Sequence, residues 1–137
     1  DSYNNNQYAA SLQSLEKAHT FDPSKVRPLQ NLTVIHIENA EKARKTNSEE
    51  RALNEIDIAI RNLKKILELE PNNIDALYNL GDSYEFRGDF CQALDQYQQI
   101  LSIDPKYQAA ESKMNKMKNK CDVQRGLGGI RGRRGGR

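Results

Sequence analysis

The chain has 137 residues, enough for one domain of ordinary size, with 29% charged residues and 2 Cys. No apolar run approaches the roughly 18 residues of a membrane span, and two cysteines cannot build a disulfide framework, so a membrane-spanning helix and a cystine-rich scaffold are both excluded. The net charge of +2 hides an asymmetry: residues 125–137 hold five Arg and no acid, which leaves 16 basic against 19 acidic residues before them. A mildly acidic body therefore carries a basic tail, and six of the eight glycines lie in that tail.

The polar start, Asp1 to Asn6, offers no apolar core for a secretory signal. Tyr8, Ser11, Leu12, Leu15 and Ala18 then recur at helical spacing and stop at Asp22-Pro23. This partial repeat, residues 1–23, has one apolar stripe and needs a cover. With a first residue that is not Met, it points to part of a longer repeat protein or of a complex. Its ending recurs: Phe21-Asp22-Pro23, Leu69-Glu70-Pro71 and Ile103-Asp104-Pro105. The last two prolines are 34 residues apart and the first two 48 apart. Thirty-four is the length of a repeat made of two antiparallel helices.

The long interval, residues 26–71, reads as a lengthened helical hairpin. Its first helix starts near Val26 and uses Leu29, Leu32, Thr33 and His36. The second uses Ile56, Ala59, Ile60, Leu63, Ile66 and Leu67. The 14 residues beyond the period are about four helical turns, two for each helix, with Ala40, Ala43, Ala52 and Leu53 inside. Asn47-Ser48-Glu49-Glu50 forms the turn and opens the second helix, where acids favour the positive end of the helix dipole. His36 lies on a buried face and is a packing residue rather than a ligand. Asn31-Leu32-Thr33 spells a glycosylation sequon but falls inside a helix.

Residues 74–107 show the repeat in full. Leu77, Leu80, Gly81 and Tyr84 share one face of a helix, which Gly88-Asp89 breaks. Phe90, Ala93, Leu94, Tyr97, Ile100 and Leu101 mark a second helix, which Asp104-Pro105 stops because proline lacks a donor and disfavours helix in the residue before it. Small residues at Gly81 and Ala93 let the two helices approach closely. The pattern Leu77, Leu80-Gly81, Tyr84, Gly88, Phe90, Ala93, Tyr97 and Pro105 resembles the tetratricopeptide repeat family. The resemblance weakens toward the N-terminus. It implies an all-α, right-handed superhelical solenoid of antiparallel helix pairs.

Residues 108–122 follow as a capping helix, with a weak stripe of Ala109, Ala110, Met114 and Met117 and a basic opposite side of Lys113, Lys116, Lys118 and Lys120. A polar outer face is what the end of a solenoid requires. Residues 123–137 are predicted to be a disordered Arg/Gly-rich tail, because they cannot bury enough apolar surface to offset the entropy of ordering. Arg125, Arg131, Arg133, Arg134 and Arg137 resemble the Arg-Gly segments of RNA-associated proteins, where guanidinium groups pair with phosphates. No Phe or Tyr interleaves them, so only weak, salt-sensitive RNA contact is expected.

Catalytic patterns are absent. Gly81-Asp82-Ser83 has the letters of a nucleophile block but sits inside a helix, and no Gly-rich loop follows a strand. His19, His36, Cys91 and Cys121 lack the close pairing of a zinc site, so neither metal nor cofactor is expected. Cys91 and Cys121 read as free thiols in a reducing compartment, which makes the expected location intracellular, cytoplasmic or nuclear.

The resemblance implies that the first helix of each repeat lines a concave groove. The residues expected there are Arg27, Gln30, Val34 and Ile37; Asp75, Tyr78, Asn79, Asp82, Glu85 and Phe86; and Lys113 and Lys116. Aromatics among charges suit an extended or helical peptide. The function expected is a non-catalytic scaffold or adaptor that binds a protein partner. The alternative is an RNA- or ribonucleoprotein-associated protein acting through the tail. A weaker alternative is a co-chaperone that clamps a C-terminal carboxylate. Asn79 and Lys113 fit two positions of that clamp, whereas Gln30, Val34 and Ala109 stand where it wants Lys, Asn and Lys.

Overall fold

A computed structural model describes residues 23–126; residues 1–22 of the partial repeat and 127–137 of the tail lie outside the described residues. A short 3-10 turn, Pro23–Lys25, leads into five helices: α1 Val26–Lys45, α2 Glu49–Leu69, α3 Ile74–Arg87, α4 Phe90–Ile103 and α5 Gln108–Gln124. Among the described residues there is no strand. The principal packing is α1 on α2, α2 on α3, α3 on α4 and α4 on α5. Each helix leans mainly on its neighbours in the chain, which is the organisation of an all-α solenoid of helix pairs.

Local chemistry sets each turn. At the end of α3, Gly88 adopts φ 91° and the Asp89 amide donates to the Tyr84 carbonyl over 2.8 Å, a left-handed cap that satisfies the last carbonyls. Between α1 and α2 the left-handed position is Asn47, at φ 61°. Asn tolerates this region better than other residues with a side chain. Asn73 caps α3 by accepting from the Ala76 amide over 3.0 Å. The first hairpin is the longer one: α1 and α2 have 20 and 21 residues, α3 and α4 have 14 each, so each long helix gains about two turns. Ala40, Ala43 and Ala52 are buried along this extension, where small side chains let the two helices run close.

One core threads the array, from Leu29 through Leu63, Ile66, Leu77 and Leu80 to Tyr97, Ile100 and Met117. Burying each such side chain contributes about 1.5–3 kcal/mol. The tightest contact is between α3 and α4. A Cβ added to Gly81 would stand 2.7 Å from two ring atoms of Tyr97, so only glycine fits there. His36 is buried and its Nδ1 lies 2.7 Å from Glu55 Oε1, tying α1 to α2. Thr33 is buried as well and donates its hydroxyl to the Leu29 carbonyl, so the third residue of the sequon packs into the core while Asn31 stays exposed on the helix.

The structure differs from the sequence reading at the C-terminal end. Helix α5 runs through Val123 and Gln124, which were expected in the tail. The Gln124 side chain donates to the Gly88 carbonyl and accepts from the Phe90 amide, which anchors the last turn. In the stripe of α5, Ala110 and Met117 are buried and Ala109 is exposed. The larger correction concerns the cysteines. Cys91 and Cys121 are not free thiols: they form a disulfide, with Cα atoms 4.6 Å apart. An antiparallel pair turning at Pro105-Lys106 sets position 91 level with about position 120, so the second residue of α4 meets the start of the last turn of α5. With both thiols oxidised, the expectation of a reducing compartment loses its support. Among the described residues, no helix is long and apolar enough to cross a membrane.

Candidate partner-binding groove

Helices α1, α3 and α5 supply most of the walls of two neighbouring depressions. The first, of about 330 Å³, is lined by Arg27, Gln30, Asn31 and Val34 of α1, by Asp75, Tyr78 and Asn79 of α3, and by Tyr107 at the start of α5. The second, of about 600 Å³, is lined by Glu41 and Arg44 of α1, by Asp82, Glu85, Phe86 and Arg87 of α3 with Gly88, by Phe90, and by Lys113 and Lys120 of α5. Of the residues expected from the sequence, six line the first depression and four, Asp82, Glu85, Phe86 and Lys113, line the second. Ile37 is half-buried and Lys116 exposed, and neither lines either depression.

Residues missed in the sequence include Asn31, Tyr107, Glu41 and Arg44. Glu41 and Arg44 continue the helical stripe of Arg27, Val34 and Ile37 at spacings of three and four. Carrying that stripe past Ala40 into the lengthened hairpin would have found them. Tyr107 precedes α5 and gave no periodic signal.

The two depressions differ in what their polar groups are already doing. In the first, Arg27, Gln30, Asn31, Asp75 and Asn79 make no side-chain hydrogen bond or ion pair among the described residues. Tyr78 packs edge-on to Tyr97, with ring centroids 5.6 Å apart, and is 6.2 Å from Tyr107. Burial pushes the Tyr78 phenol above its ordinary range, and the Asp82 charge adds to that. The first depression thus presents unspent carboxamides and one charge of each sign around a tyrosine pair.

In the second, the side chains are committed to one another. Lys113 Nζ stands 3.3 Å from Asp82 and 3.2 Å from Glu85. The Tyr97 hydroxyl, reaching over from α4, donates to Asp82 over 2.5 Å and lies 3.5 Å from Glu85. Burial, then the bond to Asp82 and its charge, drive the Tyr97 phenol far above the usual range. Burial by itself would lower Lys113, but Asp82 and Glu85 outweigh it and hold the ammonium above its usual range. Arg44 lies 3.6 Å over the Phe86 ring and also grips Glu49 with two hydrogen bonds, of 3.0 and 2.7 Å. That grip lowers the Glu49 carboxyl. Arg87 bridges Asp57 and Asp89, which raise it against the opposing effect of burial.

This geometry bears on the carboxylate clamp. Asn79 and Lys113 lie in different depressions, and Lys113 is already neutralised by two acids. Among the described residues, no group of three or more His, Cys, Asp or Glu could hold a metal ion. Of the tail arginines, only Arg125 is described; it is exposed and caps α5, while Arg131, Arg133, Arg134 and Arg137 lie outside the described residues.

Stacked helix pairs with a lined concavity define a helical-repeat scaffold. The comparisons give the family: residues 48–85 match a model described as TPR repeat, and residues 75–107 one described as tetratricopeptide repeat. The chain carries tetratricopeptide repeats, which are protein–protein interaction scaffolds and in general non-catalytic adaptors. It is similar to the chloroplastic tetratricopeptide repeat domain-containing protein PYG7 of Arabidopsis thaliana, with 24% identity over 58% of this chain and 26% of that protein. It is also similar to an FK506-binding protein-like protein of Mus musculus, with 31% identity over 51% of this chain and 22% of that protein. The matched region is thus about a quarter of the length of these relatives.

Proposed function

We propose that this chain is an adaptor module that holds an extended segment of a partner protein in the first depression. The observation that carries this reading is the set of unspent carboxamides, Gln30 and Asn31 on α1 facing Asn79 on α3, around Tyr78 and Tyr107. A carboxamide both donates and accepts, as a peptide main chain does, so facing carboxamides suit a strand of backbone laid between the helices. The tyrosines offer flat apolar faces with a polar tip. Arg27 and Asp75 add a choice of charge. In the second depression a ligand would first have to displace internal ion pairs, so we assign Asp82, Glu85 and Lys113 a supporting role.

Affinity capture tests this. The full chain is compared with the Arg27→Ala/Asn79→Ala double variant and with Lys116→Ala, each with and without nuclease. Partner proteins should be lost from the double variant, kept by Lys116→Ala and indifferent to nuclease. Undiminished capture by the double variant would sink the reading. Capture that needs residues 125–137 and vanishes with nuclease would instead support the Arg-Gly tail as an RNA contact. Retention of peptides only when they end in a free carboxylate would support the co-chaperone alternative.

A further inference from the structure

We propose that the Cys91–Cys121 disulfide is a reduction site for a dithiol reductant, and that opening it releases the last two turns of α5 from the array. The inference is independent of what the groove binds. It rests first on how little else holds that end of the helix. Among the buried side chains of α5, Ala110, Met117 and Cys121, only Cys121 lies beyond Met117. Lys118, Asn119 and Lys120 are exposed, and Val123 is 68% exposed. The Gln124 ties are exposed as well: its side chain donates to the Gly88 carbonyl and accepts from the Phe90 amide. Two helical turns without a buried face are not stable on their own. The covalent bond therefore substitutes for the core contacts that hold the rest of the array.

The two sulfurs are also unequal. Cys121 is 2% exposed, whereas Cys91 is only half-buried. Cys91 is the second residue of α4, at the accessible end of the bond, so a reductant reaches its sulfur first. Asp89 beside it is held by Arg87, and Lys120 sits 5.0 Å over the Phe90 ring at the same end. A reductant thiolate attacks Cys91 Sγ; the bond to Cys121 breaks, and the Cys121 sulfur leaves with the electron pair and takes a proton from water. The second thiol of the reductant then attacks its own sulfur in the mixed disulfide and releases Cys91. Two electrons pass to the protein and the reductant ends as a disulfide. Once released, the α5 end withdraws Lys120 from the second depression and uncovers Phe90.

Hydrogen exchange of the full chain, oxidised and in dithiothreitol, tests the release. Amides of residues 118–124 should exchange about tenfold faster or more after reduction, while those of α3 keep their rates. The Cys91→Ser/Cys121→Ser variant should show the same local change without reductant. Unchanged rates at 118–124 would overturn the proposal, and so would a uniform rise across all helices, which would mark the bond as a global staple. Limiting glutathione, quenched with acid and mapped by mass, should leave its adduct on Cys91; an adduct on Cys121 would overturn the direction of attack.

Discussion

The two depressions of the groove are built by the same helices, little more than one turn apart along α3, yet their chemistry is opposite. The first keeps its hydrogen-bonding groups unspent. In the second, Lys113, Asp82, Glu85 and Tyr97 satisfy one another, and Arg44 covers Phe86. A list of polar residues along α3 does not separate them, because all face the concave side. The difference lies in what the neighbouring helices place opposite. Asp75 meets no cation among the described residues, whereas Asp82, seven residues on, meets Lys113 from α5 and the Tyr97 hydroxyl from α4. Groove position alone does not make a residue a contact for a partner; one that is already paired helps to hold the wall.

The comparison can be broken most severely at Tyr97. Its ring is wholly buried and its hydroxyl anchors Asp82, so Tyr97→Ala should cost about 3–5 kcal/mol in urea unfolding followed by circular dichroism. A loss below about 1 kcal/mol would mean that the ring does not organise the second depression. Gly81→Ala comes next, at about 1–3 kcal/mol, because the new methyl meets the Tyr97 ring. Adding Tyr97→Leu should recover part of that loss relative to the two single variants summed, and strict additivity would deny the contact.

Asn79→Ala sharpens the contrast from the other side. It should leave stability within about 0.5 kcal/mol, as for a residue without internal partners, while partner affinity in titration calorimetry falls about tenfold. Lys113→Met should do the reverse. Its pairs are partly exposed, so the cost is about 0.5–1 kcal/mol, shrinking in high salt, with partner affinity retained.

The smallest expected effect is of pH. Lys113 and Tyr97 both have folded-state pKa values above their ordinary ones, so the folded chain binds these protons more tightly than the unfolded chain does. Stability from such groups is fully present below the unfolded values, about 10 for both types, and is lost as pH rises through the folded ones. The stability gap between the wild type and Lys113→Met should therefore be constant from neutral pH up to about 10 and close above it. A gap that changes between pH 6 and 8 would show that another group controls the second depression.

The fold class was legible because prolines 34 residues apart, with Leu80-Gly81, Tyr84 and Gly88 between the last two, report helix length and turn position directly. The longer α1 and α2 were legible for the same reason, since buried Ala40, Ala43 and Ala52 keep the helical period through the extra residues. Pairing between helices was not legible. Periodicity places Asp82 on the concave face but does not say that Lys113 and Tyr97 reach it, because that depends on rotamers and on the register of three helices. The disulfide was missed for a related reason. In the sequence the two cysteines stand 30 residues apart with no motif linking them, and only the register of α4 against α5 brings them together.

That cross-link also divides the chain mechanically. Pulled by its two ends, the oxidised protein cannot reach its full contour even when every load-bearing segment is extended, because the 30-residue separation between Cys91 and Cys121 is bridged by the bond. At about 3.3–3.6 Å per extended residue, roughly 100 Å of chain bears no load. A force–extension trace of the oxidised chain should therefore end about 100 Å short of the reduced one, with α4 and α5 remaining in an unloaded loop.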